Sequence, residues 1–205
     1  METFDQDLFV AVDVDWKLNG GSISGGIPVE GAPKLMLTSG GGFWTCRMTD
    51  IWLRTAEQLK AARALEGRMD FGATDLIVED RDTQLGPGVG NVLVDIEMAA
   101  PAALRATELT VAINVGLPLV GGEHFGIDHE GAGRRMYRVV AVEALTAGEQ
   151  TITIRPPLRE AVTDQALDFN TPSCTMKMVN ASEFFEAIRL GRFSNLKPVF
   201  VEAPY

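Results

Sequence analysis

Two cysteines, two histidines and no apolar run of membrane-spanning length are what this 205-residue chain offers to redox, metal and bilayer chemistry. Cys46 and Cys174 lie far apart, each in an alternating run, which predicts buried free thiols in place of a disulfide framework. Bases are scarce as well: 18 Lys and Arg stand against 28 Asp and Glu, a formal net charge of -10. Such a surface repels phosphate and speaks against tight or sequence-specific nucleic-acid binding. The imbalance sits mainly in the first hundred residues, where Asp13, Asp15, Glu79, Asp80 and Asp82 form the candidate acidic surface. An acidic protein can still work beside DNA when its task is to let DNA slide past. The opening Met1 to Asp7 has no basic n-region and no apolar h-region, so neither an export signal nor bilayer insertion is expected.

The rest of the composition is that of a globular chain, 46% hydrophobic and 22% charged, with enough residues to bury a substantial core. Its 21 glycines suit many turns between short strands better than a helical bundle. Leu8 to Trp16 reads as a half-buried strand, with Val12, Val14 and Trp16 on one face and Asp13 and Asp15 on the other. Gly20 to Gly26 reads as a flexible loop. Short strands are predicted over Lys34 to Thr38, Phe43 to Met48, Asp75 to Val78, Asn91 to Met98, Glu108 to Val115, His124 to Ile127, Met136 to Leu145, Gln150 to Arg155, Ala166 to Phe169, Ser173 to Met178 and Pro198 to Glu202.

One packed helix is expected over Thr55 to Glu66. Thr55 and Gln58 form a capping box, Leu59, Ala62 and Leu65 form the apolar stripe, and Gly67 is the stop. A short C-terminal helix is a candidate at Ser182 to Leu190. Glu79 to Gly88 is polar and proline-bearing, predicting an exposed loop, and Ala99 to Ala106 is an Ala/Pro connector. Together these features predict a single mainly β domain over 1–205. Its core is a β-barrel or β-sandwich of short antiparallel strands, with a soft boundary near 99–106 between two halves.

Catalytic constellations are sparse. His124, Asp128 and His129 are the only grouping of metal-ligand types, but on one strand His129 points away from the other two. No Gly-x-Ser-x-Gly elbow occurs, and Gly86 to Gly90 lacks the Lys-Ser/Thr of a phosphate loop. The acidic pairs read as a solvated face, with calcium at Glu79 to Asp82 an outside alternative. Trp16, Trp44 and Trp52 read as core or interface anchors; a sugar-stacking platform would need them exposed together. No catalytic, cofactor-binding or metal residue is therefore assigned, and no cofactor is expected.

Arg134 to Val162 is the most legible stretch: a strand, a turn at Thr146 to Glu149, a returning strand, then Arg-Pro-Pro-Leu-Arg. Proline cannot donate to a ladder, so Pro156 and Pro157 are expected to stop pairing at a fixed point. Arg155 and Arg159 are then left at the sheet's end, where they can clamp a neighbouring acidic surface bidentately. Arg155, Pro156, Pro157 and Arg159 are the candidate assembly residues.

Four motifs in order carry a resemblance: Gly-x-His-Phe-x-Ile at Gly122 to Ile127, Arg-x-Tyr-Arg-Val-Val at Arg135 to Val140, Thr-Ile-Thr-Ile-Arg-Pro-Pro-Leu-Arg-Glu-Ala-Val at Thr151 to Val162, and Leu-x-Phe-x-x-Pro-x-Cys-x-Met at Leu167 to Met176. With the closing Phe200 to Ala203, the chain from about Phe43 onward resembles tail-tip, distal-tail-like proteins of long non-contractile-tailed bacteriophages and related gene-transfer particles. The first forty residues match less. The resemblance implies a non-enzymatic virion component assembled in the host cytoplasm. It implies a homo-oligomeric ring, hexameric or else trimeric, that joins the tail tube protein to the baseplate hub protein and lets DNA pass during ejection. A receptor- or carbohydrate-binding module of the same tip is the alternative, and a cell-wall hydrolase a more remote one.

Overall fold

The computed structural model describes residues 2–20, 22–24, 35–37, 42–69, 72–81, 87, 93–189 and 195–203. In chain order its elements are β1 (Glu2–Thr3), β2 (Asp13–Asn19), β3 (Ser22–Ser24), β4 (Leu35–Leu37), β5 (Phe43–Thr49), β6 (Ile51–Trp52), α1 (Ala56–Met69), β7 (Leu76–Glu79), β8 (Asp95–Met98), β9 (Glu108–Val115), β10 (His124–His129), β11 (Gly133–Val142), β12 (Glu149–Arg155), β13 (Ala166–Leu167), β14 (Ser173–Met178), α2 (Ala181–Arg189), β15 (Asn195–Leu196) and β16 (Val199–Glu202). The protein is mainly β, as expected. The chain divides into two compact units: Met1–Lys17, Trp44–Val78 and Thr175–Pro204 form one, and Leu18–Phe43 with Glu79–Cys174 form the other. The connector at 99–106 lies inside the second, where Ala102 bridges Val162.

The first unit carries a six-stranded sheet in the order β1-β7-β14-β16-β5-β2, with the two ends of the chain's sequence meeting in its core. Phe4 stacks on Phe9 at 5.4 Å and meets the edge of Phe200 at 5.2 Å. Helix α1 starts as its capping box dictates: Thr55 Oγ1 accepts the Gln58 N–H at 3.1 Å, and Gln58 Oε1 accepts the Thr55 N–H at 3.1 Å. The predicted stop at Gly67 is overrun by two residues. Met69 is fully buried one turn beyond Leu65 and extends the apolar stripe, and burial of that side chain outweighs the preference of glycine for an end. In α2, Phe184, Phe185 and Ile188 are buried as expected.

Two expectations for the N-terminal third are corrected. The strand predicted over Leu8 to Trp16 begins only at Asp13. The Asp5 carboxylate accepts the N–H groups of Asp7 and Leu8 at 3.1 and 3.0 Å, turning the chain before a ladder can start. Val12 is 75% exposed, so the alternation there does not mark a half-buried face; β2 ends the sheet order, where burial is least. Ser22–Ser24, expected within a loop, pairs antiparallel with Leu35–Leu37.

The second unit is built on an antiparallel sheet in the order β10-β11-β12-β9-β8-β13. It curls into a barrel because Asp168, just past β13, bridges back to Gly126 in β10: Gly126 N–H donates to the Asp168 carbonyl at 2.8 Å and Asp168 N–H to the Gly126 carbonyl at 2.9 Å. Alternate residues fill the interior, among them Ile96, Leu109, Val111, Phe125, Ile127, Tyr137, Val139, Ile152 and Ile154. The β11–β12 turn places Ala147 and Gly148 at φ 53° and 88°, the pair of left-handed residues that matches strand twist in a two-residue hairpin. A bulge between Val139 and Ala141 breaks the simple alternation of β11: Ala141 pairs with Thr153, Val142 packs on the core, and Val140 is left 48% exposed.

Candidate functional site

The motifs at Gly122 to Ile127, Arg135 to Val140 and Thr151 to Val162 and the first part of the fourth, Leu167 to Phe169, lie on this barrel, where polar residues staple it, whereas Ser173 to Met176 belongs to β14 in the other six-stranded sheet. Asp80, expected in an exposed loop, is buried. Its N–H donates to the Pro172 carbonyl at 2.7 Å, and its carboxylate lies 2.5 Å from His124 Nδ1. Arg138 Nε donates to His124 Nε2 at 2.7 Å. Nε2 thus accepts and Nδ1 carries the proton toward Asp80, so both imidazole nitrogens are committed. This row lies on the outer face of β10 and β11 and contains no free base.

A second row lies inside the barrel end. The Arg159 N–H donates to Tyr137 Oη at 3.1 Å, which leaves the hydroxyl proton for His129 Nε2 at 2.7 Å. Burial lowers the His129 pKa; Glu160 and Asp128 act to raise it, while Arg135 and Arg159 reinforce the lowering. Glu160 accepts the N–H groups of Gly131 and Ala132 at 3.2 and 2.6 Å and so ties down the β10–β11 turn. A Cβ at residue 131 would lie 2.6 Å from Glu160 Oε1, so any larger residue there requires the Glu160 carboxylate to shift. Next to the closing bridge, Arg134 pairs with Asp168, which also accepts the N–H groups of Asn170 and Thr171 at 3.0 and 2.9 Å.

His124 thus turns outward to Asp80 and His129 inward to Tyr137, as strand parity requires, and Asp128 is exposed. Among the described residues no group of three His, Cys, Asp or Glu could hold a metal ion. Cys46 and Cys174 are both buried thiols outside any disulfide, as expected. Trp44 is fully buried, Trp16 meets its edge at 6.2 Å, and Trp52 lies on the separate β6–β15 pair, so the three indoles do not form one stacking face.

The Arg-Pro-Pro-Leu-Arg segment behaves differently from its sequence reading. Strand β12 ends at Arg155 and the Arg155–Pro156 peptide is cis, but pairing resumes beyond the prolines. Leu158 N–H donates to the Ala106 carbonyl at 3.0 Å, and Ala102 and Val162 exchange two bonds at 2.9 Å. The prolines therefore interrupt one long ladder and do not end it. Pro156 is buried and Pro157 half-buried. Arg159 is buried too, with its guanidinium donating to the Gly42 carbonyl at 2.6 Å, so it is not a surface clamp. Arg155 is half-exposed, and among the described residues its guanidinium donates only to the Ile154 carbonyl, at 3.0 Å.

Of the candidate acidic surface, Asp13 and Asp15 are exposed on β2, Glu79 is occupied by Arg81 at 3.0 Å, and Asp80 is buried. Asp82 lies outside the described residues. Sequence reasoning missed Tyr137, Glu160 and Asp168 as staples. The signal available was a lone polar side chain at an inward or corner position of an otherwise apolar strand pattern. The chain matches no protein-family model and no curated protein sequence.

Proposed function

We propose that this protein is a structural, distal-tail-like component of a phage tail tip, a subunit of a homo-oligomeric ring that joins the tail tube to the hub and lets DNA pass. The observation that carries the reading is the use made of the motifs behind the resemblance. Most of their length lies on one barrel-like sheet, where among the described residues His124, His129, Tyr137, Asp80 and Glu160 are engaged in bonds within the chain, which suits a rigid scaffold. Support for the DNA path is electrostatic. The chain carries -10 overall, and Asp13 and Asp15 are exposed on β2, where in an assembled ring they would present repulsion to passing phosphates.

Mass measurement of the purified protein under native conditions tests the assembly. A closed ring of identical copies is the expected result, and a strict monomer that binds glycans overturns it in favour of the receptor-binding alternative. The charge of the lumen in an assembled particle tests the DNA path; a neutral or basic wall contradicts it.

A further inference from the structure

Among the described residues, two guanidinium groups on the barrel have no acid to meet. The backbone bonds Ile154 to Thr107 (2.8 Å), Leu158 to Ala106 (3.0 Å) and Arg105 to Leu158 (2.9 Å) run residues 105–107 alongside 154–158, which brings Arg105 and Arg155 to the same end of the barrel. Arg155 stands opposite Arg138 in the β11–β12 register, a like-charge pair. Arg138 is engaged by His124, whereas neither Arg155 nor Arg105 meets a carboxylate among the described residues. Arg105 also sits at the third position of a turn closed by Ala106 N–H and the Ala103 carbonyl at 3.0 Å. Its φ is 66°, in the left-handed region that favours glycine, and Leu104 beside it is 56% exposed. Backbone bonds hold this turn, but among the described residues the Arg105 side chain has no hydrogen bond or ion pair.

The complementary surface is on the same barrel. Asp95 and Glu97 are two residues apart on β8, so both project outward while Ile96 and Met98 point into the core. The Asn114 amide donates to both, at 3.3 and 3.1 Å, and among the described residues no cation reaches either. A neutral amide cannot cancel two like charges. We propose that Arg105 and Arg155 of one copy receive Asp95 and Glu97 of the next, with Leu104 covered in the contact.

This inference rests on the ring reading and names a contact within it. A second copy is the occupant because the chain supplies both halves in matching number, two guanidinium groups and two carboxylates. With 28 acids against 18 bases, uncompensated bases are also where another copy meets attraction in place of repulsion. Within the ring reading the contact passes from one copy to the next, a heterologous arrangement that closes when the rotation between copies closes.

The test compares self-association of the full-length wild type with Arg105→Glu/Arg155→Glu, Asp95→Arg/Glu97→Arg and the four changes combined, by sedimentation velocity with thermal midpoints as a check on folding. Each reversed pair is expected to weaken association about tenfold or more, and the combined swap to restore it to within about threefold. Should a reversed pair fail to fold, Arg155→Gln and Asp95→Asn replace it, each expected to weaken association. If the wild type assembles and the variants assemble equally well, this contact is wrong and the ring reading stands. Loss on reversing the arginines alone, without effect at Asp95 and Glu97, also overturns it and points to a different acidic partner. A wild type that stays monomeric at its highest soluble concentration overturns both.

Discussion

At the scale of single residues, the barrel is held by polar groups that each do a local job, and His129 gives the most direct handle on them. Its folded pKa lies below the ordinary 6.5, chiefly through burial. The unfolded chain therefore takes up the proton first as pH falls. Stability is complete above about 6.5 and is lost between that value and the lowered folded pKa. Urea unfolding across that window should show the fall, and His129→Gln should flatten it. Tyr137→Phe removes the hydroxyl that accepts from Arg159 and bonds His129, leaving both unsatisfied in a buried site. A loss of about 1–3 kcal/mol is expected from denaturant midpoints. Of these residues, the histidines were visible in the sequence but their partners were not: Asp80 lies 44 positions from His124, and only the folded chain brings the two together.

At the scale of elements, local grammar and tertiary packing divide the control. The start of α1 is a matter of four consecutive residues, so the Thr55–Gln58 box is both legible and present. The end of α1 is decided by the burial of Met69, which a glycine two residues earlier does not prevent. A Cβ at Gly67 would meet nothing within 4 Å. Gly67→Ala should accordingly stabilise the protein by about 0.5–1 kcal/mol, read as a higher thermal midpoint, because the helix interior no longer carries the entropy of glycine. Strand β11 teaches the converse. Period-two alternation predicts Ala141 on the face of Val139, and the bulge hands that place to Val142. A bulge leaves little trace in a run where both faces are apolar.

At the scale of the whole molecule, the division between core and surface makes a contrast that unfolding experiments can read. Ile152 is fully buried in the barrel interior, and Ile152→Ala is expected to cost about 2–5 kcal/mol through lost transfer energy and a residual cavity. Arg155→Gln removes a half-exposed guanidinium bonded, among the described residues, only to a neighbouring carbonyl, and its unfolding free energy should stay within about 0.5 kcal/mol of wild type. Sequence reasoning placed Arg155 and Arg159 together as one clamp, yet the fold separates their duties. Pairing that resumes beyond Pro156 and Pro157 turns the second arginine inward.

Short strands, their turns, the helix cap and the acid balance were determined by the sequence itself, because each depends on neighbours within a few positions or on a sum over the chain. Three things waited for the tertiary structure: barrel closure through Gly126 and Asp168, the pairing of Asp80 with His124, and the choice between Arg155 and Arg159. Each requires residues tens of positions apart to meet, and periodicity carries no record of which distant strand a given face will find.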